Sequence, residues 1–370
     1  MPTRRNRLMK TVYPRVEIDL KHLRENVEYV VGKCAERGIA VSGVIKGTTG
    51  IPECARQFAD GGCSFIASSR LEQIEDAINF GIDKPMLLLR VPMLTEIKDV
   101  IRLTDYSLNS ELVVLEALNE EAGRQGKLHK VILMADLGDL REGYWNKDEM
   151  ADVAVKVENE MPNLELAGVG TNVGCYGSLL PTTEKLEELV AVAEKIEARI
   201  GRKLEYISGG ATSSFMRVID GNIPERINHL RIGEGILLAL DLALYYGYDM
   251  SMMHQDVYTL KAEVIEVKDK PSHPVGEMGV DAFGHTPEYP DRGIRRKALL
   301  GIGKVDYGSI DEIFPKDKGI EILGASSDHT ILDIEDAERD LKVGDILEFT
   351  INYASLVYVT NCRNVNIVFK

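Results

Sequence analysis

Apolar residues in this chain come in short blocks of two kinds, and the two kinds alternate. The first kind spaces its apolar positions three and four apart. Leu23, Val27, Val30 and Val31 do so within Leu20–Arg37, and Gly38 lies just past the end. That spacing predicts an amphipathic helix, preceded by a short strand at Tyr13–Asp19. The second kind is a continuous apolar run that stops at small or polar turn formers. Val41–Lys46, Cys63–Ser68, Pro85–Arg90, Asp105–Asn109, Lys130–Asp136, Leu164–Asn172, Leu204–Ser208 and Asn228–Gly233 read this way. Between these runs the helical spacing returns, at Ile51–Asp60, Leu71–Phe80, Leu94–Leu103, Glu111–Gln125, Lys147–Glu160, Thr183–Ile200 and Ser213–Ile219. Runs without alternation are what strands buried on both faces produce. About eight strands alternating with helices over about 200 residues have the size and rhythm of a closed parallel (β/α)8 barrel. An open doubly wound sheet is the competitor, and the strand count favours the barrel.

After Leu244 the rhythm changes. Val257–Val267 alternates polar and apolar residues, as do Leu299–Lys304, Thr330–Ile334 and Ile346–Phe349. Helical spacing becomes sparse while Gly and Pro increase, which predicts a second, mostly β domain. The expected division is residues 1–243 for the barrel and 244–370 for the β domain, with residues 13–19 pairing with the latter. The stretch His273–Lys297 is long for a structureless connector, so it is either functional or carries a hairpin.

Composition adds exclusions. Apolar content of 44% and charged content of 28% over 370 residues describe a soluble globular protein. A net charge of −15 argues against nucleic acid and anionic membrane as partners. The longest apolar stretch, Gly235–Gly247, contains Asp241 and is too short to span a bilayer. The basic N-terminal MPTRRNRLMK has no apolar segment after it and does not read as a secretory signal. Cys34, Cys54, Cys63, Cys175 and Cys362 form no CxxC pair, and the histidines show no HxxxH spacing. A cytoplasmic protein with reduced thiols and no metal site is expected.

Candidate chemistry lies where the strands end, because reacting groups in such barrels sit at the C-terminal ends of the strands. Read in order, those ends give Lys46, Ser68, Arg90, Asn109, Asp136 with Arg141 just beyond, Asn172, Ser208–Gly210 and Arg231–Gly233. Lys46 stands between a buried apolar run and the small residues Gly47–Gly50. A lysine beside a core is costly, and a partly desolvated one loses its proton more easily and can form a Schiff base. Taken alone, the stretch also suits a lysine that reaches solvent. SGGATSS (Ser208–Ser214) opens a short helix with hydroxyls and N–H groups suited to a phosphate, and RIGEG (Arg231–Gly235) gives a second glycine-lined approach. With a lysine on the first strand, the set points to pyridoxal phosphate.

These motifs resemble those of the alanine-racemase-type (fold type III) pyridoxal-phosphate enzymes, most closely the ornithine racemase branch. The similarity runs from YPRVEIDL to the C-terminal NYASL. It implies that Lys46 in GVIKG carries the cofactor. It places Arg141 of DLGDLREG near the cofactor's phenolic oxygen and Asn172 of GTNVGCYG against the pyridine ring. It assigns the phosphate to the SGGATSS turn through Ser208, Gly210 and Thr212, and to the backbone of Gly233 and Glu234. Arg231 would contact the pyridine nitrogen. Ser327 and Asp328 of GASSDH, with Tyr353 of NYASL, would reach the substrate in the partner subunit of a homodimer with shared sites. An arginine does not readily give up its proton, so opposite the pyridine nitrogen it leaves that nitrogen unprotonated. The cofactor is then a weaker electron sink, which suits a proton swap at Cα.

The chain departs from alanine racemases at the second base. Their tyrosine from the partner's β domain has no counterpart in PVGEMGVDAFGH (Pro274–His285). A carboxylate from this loop is the expected replacement, Glu277 first and Asp281 second, with burial raising its pKa toward neutrality. Tyr353 and Tyr307 are further candidates. Thr48–Gly50 replace the phosphate-touching tyrosine, and Met134 replaces a lysine that bridges to the arginine. Asp281, Asp306 and Asp328 suit a substrate with a second positive charge. The expected activity is therefore racemisation of a basic amino acid, ornithine or lysine. A broad alanine or serine racemase, a decarboxylase, a non-catalytic pyridoxal-phosphate binding protein and a cofactor-free Schiff-base aldolase are the competitors.

Overall fold

The computed structural model describes residues 12–370 apart from 281, 282, 285 and 287. Packing divides the chain into two units, Leu20–His254 and, together, residues 12–19 and Gln255–Lys370. The second of these begins with strand β1 (Arg15–Ile18).

The first unit holds β2 (Ala40–Val44), β3 (Phe65–Ser68), β4 (Met86–Leu88), β5 (Tyr106–Asn109), β6 (His129–Ala135), β7 (Leu164–Thr171), β8 (Tyr206–Ser208) and β9 (His229–Ile232). Each pairs in parallel with the next and β9 returns to β2, so the sheet is a closed eight-stranded barrel. Its helices follow from the sequence spacing. In Leu20–Ala35, for example, Leu23, Val27, Val30 and Cys34 are buried. The helix Thr183–Ile200 starts where the Thr182 hydroxyl accepts from the Lys185 N–H, and it ends at Gly201 in the left-handed region.

The barrel interior is closed at one end. Phe65, Tyr106, Tyr206 and His229 are the first residues of β3, β5, β8 and β9, and their rings meet edge to face. Phe65 lies 5.1 Å from Tyr106, 5.5 Å from Tyr206 and 5.4 Å from His229. Ala67, Leu87, Leu108, Ile132, Met134 and Ala167 pack with this group into one apolar cluster. The N-terminal end of the barrel is therefore a floor of aromatic side chains, and the strand C-termini surround the open mouth.

The β-rich unit adds β10 (Tyr258–Pro271), β11 (Ile294–Leu300), β12 (Ile313–Pro315), β13 (Glu321–Ala325), β14 (Thr330–Asp333), β15 (Ile346–Ile351) and β16 (Asn366–Phe369). They lie in the order β12-β15-β10-β11-β14-β13, with β1 antiparallel to β10 and parallel to β16. Tyr258, Leu260, Ala262 and Val264 alternate inward along β10.

Several boundaries differ from the expected ones. The barrel unit ends at His254 rather than at residue 243. Met250 and Met253 are buried in it, and the Asn26 side chain accepts from the His254 N–H at 2.7 Å while donating to Ile236 O at 3.1 Å. The run expected as a strand at Leu299–Lys304 is β11, shifted to Ile294–Leu300, and Lys304–Tyr307 is a helical turn. The long connector is the loop of the β10–β11 hairpin, residues 272–293. Strands β12, β13 and β16 and the helix Tyr353–Asn361 were not anticipated. Among the described residues no helix is long and apolar enough to cross a membrane.

Glu17 on β1 ties this unit together. It is only 5% exposed, and its carboxylate meets Lys261 at 3.2 Å and Lys370 at 2.5 Å. Burial alone would raise its pKa; hydrogen bonds from Lys370, Lys261 and Arg15 outweigh burial and hold it at about 2, against an ordinary 4.5. Because the folded value lies below the unfolded one, the stabilisation is full above about pH 4.5 and is lost as pH falls toward about 2. Glu17→Gln should cost about 2 kcal/mol at neutral pH and flatten the acid limb of stability against pH. Urea unfolding across that range measures both; an unchanged acid limb would discard the assignment.

Candidate active site

Lys46 lies two residues beyond β2, in the 3₁₀ turn Ile45–Thr48, rather than at the end of the strand itself. The turn closes because Thr49 adopts a left-handed conformation and donates to Lys46 O at 3.0 Å. Gly50 follows at φ +74, where an added Cβ would fall 2.5 Å from Gln73 Cβ, so no side chain fits. The Lys46 side chain is exposed to the open mouth, yet protein surrounds it on its other sides. Desolvation is the main cause that lowers its pKa. Arg141 and Arg231 push the same way, against opposing contributions from Cys175 and Glu142.

Arg231 is buried at the centre of the mouth. Its guanidinium donates to Thr171 O at 2.7 Å, at the end of β7, and to the Ser208 hydroxyl, at the end of β8. Burial pulls its pKa down to about 10, which leaves it protonated at neutral pH. Arg141 is half exposed and forms a two-point ion pair with Glu142, which raises its pKa further. Asn172 is buried, and its Nδ2 has no hydrogen-bond partner among the described residues.

Two turns face this group. Gly210 has φ +118, and a Cβ there would lie 2.6 Å from Ser214 Oγ. Its carbonyl accepts from the Arg231 N–H at 2.9 Å, and the Thr212 hydroxyl accepts from the Gly235 N–H at 3.1 Å. The turns after β8 and β9 are thus bonded to each other. Gly233 sits where a Cβ would press on Val44 at 3.1 Å. The Glu234 carboxyl points away from solvent, and burial, with Asp241 beside it, pushes its pKa well up.

The sequence reading missed the residues that shape the loops. Asp139 is 1% exposed, and its carboxylate accepts the N–H groups of Gly174, Tyr176 and Gly177 at 2.9, 3.1 and 3.1 Å. It latches the loop carrying Arg141 to the loop that follows Asn172. The Lys147 ammonium donates to the carbonyls of Asp136, Tyr144 and Trp145 at 2.6, 2.8 and 2.8 Å, closing the first loop on itself. An acidic residue inside a Gly-rich motif and a lysine at a helix start were the only signals in the sequence.

In the β-rich unit the expected residues are scattered. Glu277 is exposed in the loop of residues 272–293, so its own unit does not bury it. Asp281 lies outside the described residues. Ser327 is half-buried, and its carbonyl accepts from the Val305 N–H at 3.1 Å; Asp328 is exposed. Tyr353 starts the helix Tyr353–Asn361. Two candidates are corrected. Tyr307 is fully buried, its hydroxyl bonded to Thr330 Oγ1 at 2.7 Å and its pKa pushed up to about 12 by burial, so it is a core residue. Asp306 is 5% exposed, and its carboxylate accepts from the Gly303 N–H at 3.1 Å and the Cys362 thiol at 3.2 Å, which leaves it unable to meet a substrate ammonium.

A closed barrel with desolvated Lys46 and the guanidinium groups of Arg231 and Arg141 in its mouth, continuing into a β-rich unit, defines a class of lysine-bearing barrel proteins. The chain belongs to the alanine racemase family: residues 18–240 match the model for "Alanine racemase, N-terminal domain". It is 39% identical to an ornithine racemase of Acetoanaerobium sticklandii, over 94% of this chain and 96% of that one. It is also 39% identical to a lysine racemase of Thermotoga maritima, over 94% and 95%. The structure of an alanine racemase from Streptomyces lavendulae superposes with a TM-score of 0.77 at 18% identity, covering 98% of both chains, which shows the shared fold.

The Asp139 latch is testable without activity. In Asp139→Ala, amide hydrogen exchange at Gly174, Tyr176 and Gly177 should rise about tenfold or more while amides within β6 and β7 keep their protection. Unchanged exchange at those three amides would remove Asp139 from this role.

Proposed function

We propose that the chain is a pyridoxal-phosphate-dependent amino-acid racemase, an isomerase that interconverts the L and D forms of a basic amino acid, ornithine or lysine. The observation that carries this reading is a lysine of lowered pKa sharing a barrel mouth with Arg231 and Arg141. Support for the substrate class comes from two relatives, an ornithine racemase and a lysine racemase, each 39% identical.

The donor set suits the cofactor. A buried Asn172 Nδ2 without a partner offers a hydrogen bond to a group in the mouth. Glycines at 210 and 233 keep both turns free of side chains there, and the Thr212 hydroxyl bonds the first turn to the second. Two fixed cations suit a phosphate-bearing aromatic ring with acceptor atoms. Lys46, Arg141, Asn172 and Arg231 would hold the ring, and Gly210, Thr212, Gly233 and Glu234 the phosphate; the Ser208 hydroxyl, expected at the phosphate, is engaged by Arg231 and His229 instead. Pyridoxal phosphate, when bound, acidifies the Cα–H of an amino acid attached to it.

The remaining work falls to this chain's own groups. Lys46 Nζ, whose pKa desolvation lowers, takes or returns the Cα proton on one face. Arg231 stays protonated and only donates, so it stabilises an acceptor nitrogen without protonating it. A carboxylate from a second copy, Glu277 or else Asp281, serves the opposite face within a homodimer. Closure of that copy over the mouth supplies the burial that Glu277 lacks in its own unit, and Ser327, Asp328 and Tyr353 of the same copy contact the substrate.

Purified protein with added pyridoxal phosphate should convert L-ornithine or L-lysine to a racemic mixture without releasing CO2, as read by chiral chromatography. Conversion of alanine alone would overturn the substrate class, and CO2 release the reaction. Lys46→Ala should lose about a thousandfold or more of the activity. Glu277→Gln should lose about a hundredfold of racemisation in D2O while one enantiomer still exchanges its Cα–H. If it racemises at the wild-type rate, the second base lies elsewhere, and Asp281→Asn is the next variant.

A further inference from the structure

Behind Arg231 runs a line of buried polar side chains that the reaction does not touch. The Arg231 guanidinium donates to Ser208 Oγ. Ser208 Oγ is 2.8 Å from His229 Nδ1, and His229 Nε2 is 2.7 Å from Ser42 Oγ. Ser42 and Ser208 are fully buried, and His229 is 1% exposed. The register brings them together: Ser42 lies opposite Arg231 in the β2–β9 pair, and Ser208 opposite His229 in the β8–β9 pair. His229 and Arg231 are two residues apart on one strand and therefore point to the same side of the sheet. Phe65 and Tyr206 pack on the imidazole with centroids at 5.4 and 5.3 Å, so it has no access to water.

The chemistry of the line fixes its direction. A guanidinium has only donors, so Ser208 Oγ must accept from Arg231. Its own proton then points away from the cation, and Nδ1 is the acceptor that the hydrogen bonds of the described residues offer it, which makes Nδ1 the unprotonated nitrogen. The proton of the neutral ring sits on Nε2 and donates to Ser42 Oγ. The reverse order would have Ser208 Oγ accept twice and leave its own proton without an acceptor among the described residues. Burial, with the charge of Arg231 adding to it, pushes the His229 pKa down to about 3.

We infer that His229 is a positioning residue for Arg231: as the neutral Nε2–H tautomer it keeps Ser208 an acceptor and so fixes the guanidinium in the mouth. The inference rests on the proposal that Arg231 faces the pyridoxal-phosphate ring. Without His229 the Ser208 proton loses its acceptor, the hydroxyl is free to rotate, and Arg231 gains freedom to turn away from the ring.

The test has two parts. In cofactor-free protein labelled with 15N-histidine, long-range 1H–15N correlation should show His229 as the Nε2–H tautomer, unchanged from about pH 8 to about pH 5. An Nδ1–H tautomer, or titration near the usual histidine value, would overturn the inference. The second part is pyridoxal-phosphate affinity by fluorescence titration. His229→Leu keeps the volume and removes the acceptor, and should bind about tenfold more weakly. His229→Asn offers an amide oxygen at the position of Nδ1 and should restore binding to within about threefold. Wild-type affinity in His229→Leu, or failure of Asn to rescue, would sink the positioning role. If His229→Leu does not fold by circular dichroism, Ser42→Ala decides: the Nε2–H should lose its protection from exchange and affinity should fall, and no change in either counts against the relay. Should the wild type itself not bind pyridoxal phosphate, the cofactor proposal fails while the tautomer result still stands or falls by itself.

Discussion

A guanidinium buried at the centre of a barrel is the constraint around which the rest of this site is arranged. Placing a full charge out of water is expensive unless its donors are met. The barrel meets them with groups of one kind, acceptors at the ends of strands: Thr171 O and Ser208 Oγ. No carboxylate is hydrogen-bonded to Arg231 among the described residues, so its charge is only partly balanced at a distance by Glu142. The uncompensated positive field reaches Lys46 and adds to the desolvation that lowers its pKa. One buried cation thus has two effects. It supplies a donor that does not surrender its proton, and it makes the neighbouring amine easier to deprotonate.

The loops around that cation are ordered by backbone contacts more than by packing. Asp139 gathers three N–H groups from the loop after β7, and Lys147 gathers three carbonyls from the loop after β6. Each charge spends its capacity on main-chain groups that would otherwise face an open mouth without partners. Arg141 is carried by the loop so built, paired with Glu142, so its position depends on residues that do not reach the reacting atoms.

Much of this was legible in the sequence where burial leaves a continuous apolar run. The barrel strands read correctly because both of their faces are covered. Lys46 stood out because a lysine against a core needs a reason, and the glycine turns because small residues gather where a backbone must come close. The β-rich unit was read less well. Strands β13 and β16 are half-buried along most of their length, so no alternation marks them. Asp139 escaped notice because its partners lie 35 to 38 residues away and are backbone groups, which carry no sequence signal. Tyr307 and Asp306 illustrate the converse. Their residue types suggested chemistry, and only their burial shows that they serve the core.

The aromatic floor has a consequence for traffic. A barrel sealed by Phe65, Tyr106, Tyr206 and His229 is a blind well with a single opening. Whatever is seated deepest must arrive first and leave last. On the proposed reading, a cofactor lodged at the depth of Arg231 precedes every amino acid that enters and cannot be exchanged while one is above it. On that reading the deep occupant would stay through many cycles of the shallow one, because four rings close the far end of the strands, well below the groups proposed to do the chemistry.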